Sequence, residues 1–303
     1  MRVGVFLPNA GPSANPEAVI AGARQAEQLG YGSVWVLDRL LYPVKPRNPY
    51  PASGDGKLPE SYKNVLDPLL SLTFAAAQTK TIALGTCILD IPFYNPLVLA
   101  RAITTLDVLS GGRVRLGFGQ GWSEDEFEAV GAPPKGRGAR ADEFLDALKT
   151  IWTTDPVEFH GRFFSIPASI IGPKPVQRPH PPIFLAAFTS TALKRVAIRS
   201  DGWMPARIPF DDLERMLGEL RSMAQAAGRD PQALALEVVA IPQITASSLG
   251  SGRAPFSGSA EQIKEDAARA KALGATELIL QIELDEPTAS LLALMETLMR
   301  LVT

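Results

Sequence analysis

Short apolar runs alternate with amphipathic runs along the whole chain, and this alternation limits the available folds more than any other feature. Val3–Leu7, Ser33–Leu37, Ile82–Leu89, Arg113–Gly117, Ile183–Ala187, Gly202–Met204, Leu234–Ile241 and Glu277–Ile282 read as strands. Pro16–Leu29, Asp67–Gln78, Pro96–Leu109, Arg140–Trp152, Thr191–Arg199, Asp211–Ala227, Ala260–Leu273 and Pro287–Leu301 read as the helices that follow them. In the first helix Val19, Ile20, Ala23, Ala26 and Leu29 recur at helical spacing, and Gly30 supplies the stop. Strict strand–helix order implies parallel strands joined by right-handed crossovers. The strand runs are apolar throughout, as strands covered on both faces should be. Eight such units predict an α/β fold, a (β/α)8 TIM barrel with insertions. An open doubly wound sheet would count the same way and is the alternative.

A length of 303 residues suits one barrel domain over residues 1–303. Three connections are long. Residues 38–66 follow strand two and carry Pro43, Pro46, Pro49, Pro51 and Pro59; residues 155–182 precede strand five; residues 242–257, rich in Gly and Ser, follow strand seven. The first and third leave the C-terminal ends of strands, where barrel active sites are built, and read as lids or substrate walls. The second reads as an insertion folding over the barrel. The balance of 30 basic and 32 acidic residues gives a net charge of −2, which argues against a nucleic-acid partner. No apolar run reaches the ~18 residues that cross a bilayer. Cys87 is the only cysteine, which rules out an internal disulfide. The start, Arg2 to Pro8, reads as a strand rather than a signal peptide, so a cytoplasmic location is expected.

Most familiar catalytic kits are missing. His160 and His180 have no partners at metal-ligand spacing, so no metal is expected. Neither a Gly-x-Ser-x-Gly elbow, a Walker loop nor a dinucleotide fingerprint occurs. Cys87 ends strand three without a histidine partner and reads as a small core residue. Gly117-Phe118-Gly119-Gln120-Gly121 follows a strand, a place where backbone approaches something flat or anionic.

Several segments together resemble the bacterial luciferase-like flavin and deazaflavin oxidoreductases. They are Leu84–Leu89, Asn95-Pro96, Leu106–Arg113, Gly117–Trp122, Arg137–Arg140, Ile151-Trp152, Phe159–Phe164 and Ser200–Trp203, in family order. The likeness is nearest to members using coenzyme F420, and the family fold is itself a (β/α)8 barrel. The resemblance implies a non-prolyl cis peptide at Cys87–Ile88, forming a bulge behind the cofactor ring. It also implies that Asp38 lies near the ring, that Gln120, Gly121 and Asp125 edge it, and that Phe188, Thr189, Thr191 and Ala192 hold the tail phosphate. A helix N-terminus suits that last role, because its free N–H groups and dipole favour anions.

Departures from the pattern are informative. Several deazaflavin dehydrogenases carry a histidine after the strand-two aspartate, where this chain has Arg39. Sugar-phosphate dehydrogenases use a glutamate where this chain has Trp122, and a tryptophan where it has Pro43. Arg39 cannot donate a proton near neutral pH, but it could pair with Asp38 or a substrate anion. Arg39, Glu124 and Trp122 are the candidate catalytic residues, Trp122 as a wall, with Glu124, Tyr42 and Tyr94 as candidate proton sources.

The resemblance implies an F420-dependent oxidoreductase moving a hydride between the deazaflavin and a small ketone, alcohol, imine or activated alkene. The alternative is an FMN-dependent monooxygenase that takes reduced FMN from a separate reductase and activates oxygen. A third class is a barrel that binds flavin without turnover. A homodimer is expected from the family.

Overall fold

The alternation closes on itself. The computed structural model describes residues 1–303 apart from 134, 283 and 284. The chain runs from β1 (Arg2–Phe6) through α1 (Pro16–Gln28) to β2 (Ser33–Val36), and through α2 (Pro68–Ala76) to β3 (Ala83–Asp90). Helix α3 (Pro96–Ser110) leads to β4 (Val114–Gly119), and α4 (Glu124–Ala129) and α5 (Arg137–Thr153) follow. Strands β5 (Val157–His160) and β6 (Ser165–Ser169) precede β7 (Ile183–Leu185), α6 (Ser190–Arg199), β8 (Gly202–Trp203) and α7 (Phe210–Ala226). The last third comprises β9 (Ala235–Ala240), β10 (Gln243–Ile244), β11 (Ser257–Gly258), α8 (Ala260–Ala272), β12 (Glu277–Leu280) and α9 (Thr288–Val302). Eight strands form a closed barrel in the order β1-β12-β9-β8-β7-β4-β3-β2. All of these pairings are parallel. The (β/α)8 expectation holds and the open sheet does not.

Local sequence explains where several helices begin. Asn15-Pro16, Asp67-Pro68 and Asn95-Pro96 each place a capping side chain before a proline in the first turn, and each cap accepts main-chain N–H groups. Proline loses nothing there, because that N–H has no intrahelical partner.

One helix and two strand pairs depart from the expected elements. Helix α4 has six residues, too few to show a period. Residues 155–182 contain the antiparallel hairpin β5–β6, which packs against α5. There Glu143 accepts the N–H groups of Arg162, Phe163 and Phe164. Within 242–257 and its edge, β10 pairs with β11 in parallel. Neither short pair has enough length for alternation to be legible.

The barrel interior is partly ionic. Arg115 of β4 reaches Glu237 of β9 at 2.9 Å and Glu277 of β12 at 3.3 Å, and Ser33 of β2 donates to Glu277. Strands β9 and β12 are neighbours, but β4 adjoins neither of them and β2 does not adjoin β12, so Arg115 and Ser33 meet the two glutamates across the interior. Burial pushes the Glu237 carboxyl up to about 7, against the pull of Arg115. Gly4 leaves the room this cluster needs: a Cβ there would lie 2.3 Å from Ser33 Oγ and 2.7 Å from Glu277 Oε1. Gly4→Ala is therefore expected to lower unfolding stability by ~1–3 kcal/mol, the usual cost of overpacking, as read by urea denaturation.

Candidate active site

At the C-terminal end of β2 the chain leaves the barrel wall with Asp38 and Arg39, and the two side chains go to different partners. Asp38 is buried and accepts the Tyr94 hydroxyl at 2.8 Å; the Asp90 main-chain N–H also reaches it. Desolvation outweighs both hydrogen bonds and pushes the Asp38 carboxyl up to about 6. The Tyr94 phenol is raised as well, by burial and by the neighbouring Asp38. Asp38 can therefore hold or release a proton near neutral pH.

Arg39 does not pair with Asp38. It reaches Glu126 of α4 at 2.8 Å, with both side chains buried. Its guanidinium lies 4.9 Å from the Trp122 ring centre and 5.5 Å from that of Tyr62. Successive side chains of extended backbone point in opposite directions, which sends Asp38 and Arg39 apart. Glu126 also accepts the Leu40 N–H at 2.9 Å, so one carboxylate holds both the charge and the backbone of this corner. Arg39 is thus neutralised within the protein rather than held open for a substrate anion.

The other wall is built by β3 and β4. The Cys87–Ile88 peptide is cis, and the register of β3 on β4 shifts between Thr86 and Leu89. Ile88 lies over Gly119: a Cβ on Gly119 would fall 1.9 Å from Ile88 Cδ1. Burial pushes the Cys87 thiol up to about 12, so it is not a thiolate nucleophile at neutral pH. Asp90 closes β3, buried, with Oδ1 left without a hydrogen-bond partner. Desolvation pushes its carboxyl up to about 7, although the Arg39 charge and the Gly121 N–H act against that rise. An orphaned buried oxygen in such a place calls for a donor from a ligand.

Gly121 sits in left-handed backbone at φ +65°, where a Cβ would also meet the Phe127 ring. Arg137 donates to its carbonyl at 3.0 Å and lies over Phe127. Gln120 and Gly119 line a cavity of about 220 Å³, open to solvent, that reaches Ala192 and Arg195 of α6. Phe188, Thr189 and Thr191 are exposed beside it, and the Thr189 hydroxyl caps α6 by accepting the Ala192 N–H at 3.3 Å. The structure therefore brings Gln120 and Ala192 around one space, with Gly119 in its wall and the exposed N-terminus of α6 at its edge, while Gly121 lies outside that lining.

Asp125 turns toward residues 38–66, where it accepts the Arg47 N–H at 3.0 Å. Glu124 is exposed in the first turn of α4, and its N–H donates to Asn48. Trp122 forms a wall with Tyr50, their ring centres 5.3 Å apart, and Tyr50 and Tyr62 share a hydrogen bond at 3.1 Å. The connection 38–66 thus contributes two tyrosines to the mouth. Sequence reasoning passed over Asp90, Glu126 and Tyr62. Asp90 was visible only as an acid ending an apolar run. Glu126 stands three residues after the cap Ser123, where Glu usually reads as half of a capping box.

Comparison with known proteins decides the family. A family described as luciferase-like monooxygenase matches residues 1–290. The chain belongs to that family. An uncharacterized protein of Mycobacterium tuberculosis is 38% identical over 228 residues, covering 73% of this chain and 79% of that protein. An FMNH2-dependent dimethylsulfone monooxygenase of Pseudomonas putida is 33% identical over 155 residues, covering 50% of this chain and 42% of that protein. Among solved structures, an F420-dependent secondary alcohol dehydrogenase with an F420-acetone adduct superposes with a TM-score of 0.79. It is 18% identical and covers 100% of this chain and 99% of that chain, a likeness of fold. Among the described residues no helix is long and apolar enough to cross a membrane, and no group of metal-ligating side chains occurs.

Proposed function

We propose that this luciferase-like protein is an F420-dependent oxidoreductase that moves a hydride and a proton between the coenzyme and a small organic substrate. The observation that carries the reading is Asp38: a buried carboxyl that titrates near neutral pH, hydrogen-bonded to Tyr94 at the mouth of the barrel. Hydride transfer to a carbonyl needs a proton at the oxygen, and a carboxyl tuned to about 6 can supply it. The residues present fit a flat tricyclic group. Ile88 and the bulge offer a surface, Gly119 and Gly121 bring backbone close, and Asp90 Oδ1 offers an unpartnered polar atom.

When bound, the coenzyme supplies the hydride. Cys87, Ile88, Gln120 and Gly121 would hold the ring, and the N-terminus of α6, from Phe188 to Ala192, would hold the phosphate. Asp38 holds the transferable proton, and Tyr94 orients it. Arg39 and Glu126 brace Trp122 and Tyr62 as walls that exclude water, and Glu126 neutralises the Arg39 charge at that corner. Asp125 and Glu124 act from outside this shell, where Asp125 ties residues 38–66 to α4. A homodimer is part of the proposal. Leu70 and Phe74 of α2 and Leu97, Val98 and Leu109 of α3 are exposed large apolar side chains on two helices packed together, which supports that part.

The second reading is an FMN-dependent monooxygenase served by a separate reductase. It is favoured by the 33% identity to the dimethylsulfone monooxygenase, over part of the chain. Parallel titrations of the purified protein with F420 and FMN test the choice. The expected result is tight F420 binding and FMN weaker by at least about tenfold, or ~1.4 kcal/mol. Preference for FMN, with oxygen uptake when reduced FMN is supplied, would replace the first reading by the second.

A further inference from the structure

Two residues other than glycine have left-handed backbone among the described residues, Arg207 at φ 58° and Phe256 at φ 60°. Both line one groove, between the loop that follows β8 and the loop that follows β9. Such backbone is sparsely populated for residues with a Cβ and persists where the surroundings over-determine it; it concentrates at ligand clamps. The surroundings here are explicit. The bridge Ala206–Val239 and the Val239 N–H on the Pro205 carbonyl at 2.9 Å pin the chain just before Arg207. On the opposite wall, Asp266 accepts the Phe256 N–H at 2.6 Å and pairs with Arg253. Phe256 is thereby held against Phe210, ring centres 5.8 Å apart.

The groove is open to solvent on one side, with a sheltered volume of about 90 Å³. Apart from Arg207 its walls are uncharged, and Gln243 and Ser257 are the polar side chains among Pro, Ile, Val, Leu, Ala and Phe. The Arg207 side chain is exposed and has no ion-pair partner among the described residues. Arg39 and Arg137, which bear on the mouth, are each occupied by a protein acceptor. The groove belongs to the C-terminal end of the barrel, and the Arg207 charge is felt at Tyr62 in the mouth wall.

We propose that this groove is the substrate's acid subsite: Arg207 grips a carboxylate while Phe256, Phe210 and Ile208 pack the apolar body of the same molecule. A guanidinium fork matches a planar carboxylate bidentately, and a mostly apolar pocket with one placed charge is the ordinary form of a small-molecule site. A phosphate dianion would call for more cationic donors than the single one these walls present. As a statement about substrate the inference rests on the hydride-transfer reading above, but the binding it predicts does not need the coenzyme.

The test is calorimetric titration of the whole protein, without coenzyme, with 3-phenylpropionate, its neutral amide and inorganic phosphate. The acid is expected to bind at least about tenfold tighter than the amide, the size of a hydrogen-bonded charge contact. R207Q should reduce the acid to the level of the amide, and R207K should keep part of the preference. R207G should melt above the wild type, because glycine relaxes the left-handed backbone, and should show no acid preference. Equal binding of acid and amide, binding of neither, or a preference that survives R207Q would overturn the subsite. Arg207-dependent binding of phosphate in place of the acid would overturn its assignment to carboxylates. F420 titrated separately distinguishes the two claims: an acid preference without F420 binding leaves the groove standing and removes the proposed reaction.

Discussion

Asp38→Asn is expected to lower the turnover of an F420-linked carbonyl reduction by ~10²- to 10⁴-fold while leaving F420 binding within a few-fold of wild type. Asparagine keeps the shape and can still accept from Tyr94, so the loss isolates the proton. The pH profile fixes the sign. Asp38 is raised from its ordinary value to about 6 by burial, so it carries its proton below about 6 and gives it up above. Reduction of a carbonyl uses the protonated form, and its rate should fall as pH rises through about 6. Oxidation of an alcohol uses the ionised form and should rise through the same window. In D38N both limbs should flatten. Tyr94→Phe removes the 2.8 Å hydrogen bond that stabilises the ionised carboxylate, so the midpoint should move upward. A profile in D38N with the wild-type midpoint would place the proton elsewhere.

Glu126→Ala is expected to cost ~3–5 kcal/mol of unfolding stability, as for other buried ion pairs broken from one side. Arg39 would remain buried, with no partner for its charge and with Nε already lacking one. The Leu40 N–H would lose its acceptor in the same step. The comparison that separates charge from packing is the double change Arg39→Met with Glu126→Leu. Replacing both partners by apolar groups of similar volume removes the uncompensated charge and should return most of the lost stability. Urea denaturation of the two variants reads the difference, and a double variant no more stable than E126A would show that packing, not charge, dominates this corner. The site should respond too, because Trp122 and Tyr62 lean on the Arg39 guanidinium; FMN or F420 affinity should weaken in E126A and recover only in part in the double variant.

Some of the site's framework was legible in residues alone: the second apolar run ends at Asp38, and the glycines of Gly117–Gly121 follow a strand. The place of Asp38 near a ring came from the family resemblance, and Thr189, read there as a phosphate holder, caps α6 two residues before the expected helix start. Others needed the fold. Glu124 and Glu126 are two residues apart on a six-residue helix, and nothing in the spacing says which one faces the barrel. The structure exposes Glu124 and buries Glu126, because Ser123 caps the helix in an orientation that presents its third residue to Arg39. Residues 38–66 read as proline-rich and lid-like, without any sign that Tyr50 would meet Trp122 across more than seventy residues of chain or that Tyr62 would fold back onto Arg39.

The architecture was the sequence's to decide. Apolar runs a few residues long, alternating with amphipathic helices, bury both kinds of surface at once as parallel strands with helices outside; that the eight units close a barrel rather than an open sheet is seen in the pairing of β1 with both β12 and β2. Cap-and-proline pairs such as Asn95-Pro96 set helix starts by contacts between near neighbours, which any local reading can see. Charge pairing was different. Arg39 with Glu126, Arg115 with Glu237 and Glu277, and Arg207 with none of the described carboxylates follow from distances across the barrel and between its loops. The same is true of the carboxyls of Asp38 and Asp90, whose affinity for protons is set by how much water the surrounding walls exclude. Periodicity is a property of neighbours along the chain, and so the fold could be read from it. Desolvation and ion pairing are properties of neighbours in space, and only the closed barrel determined those.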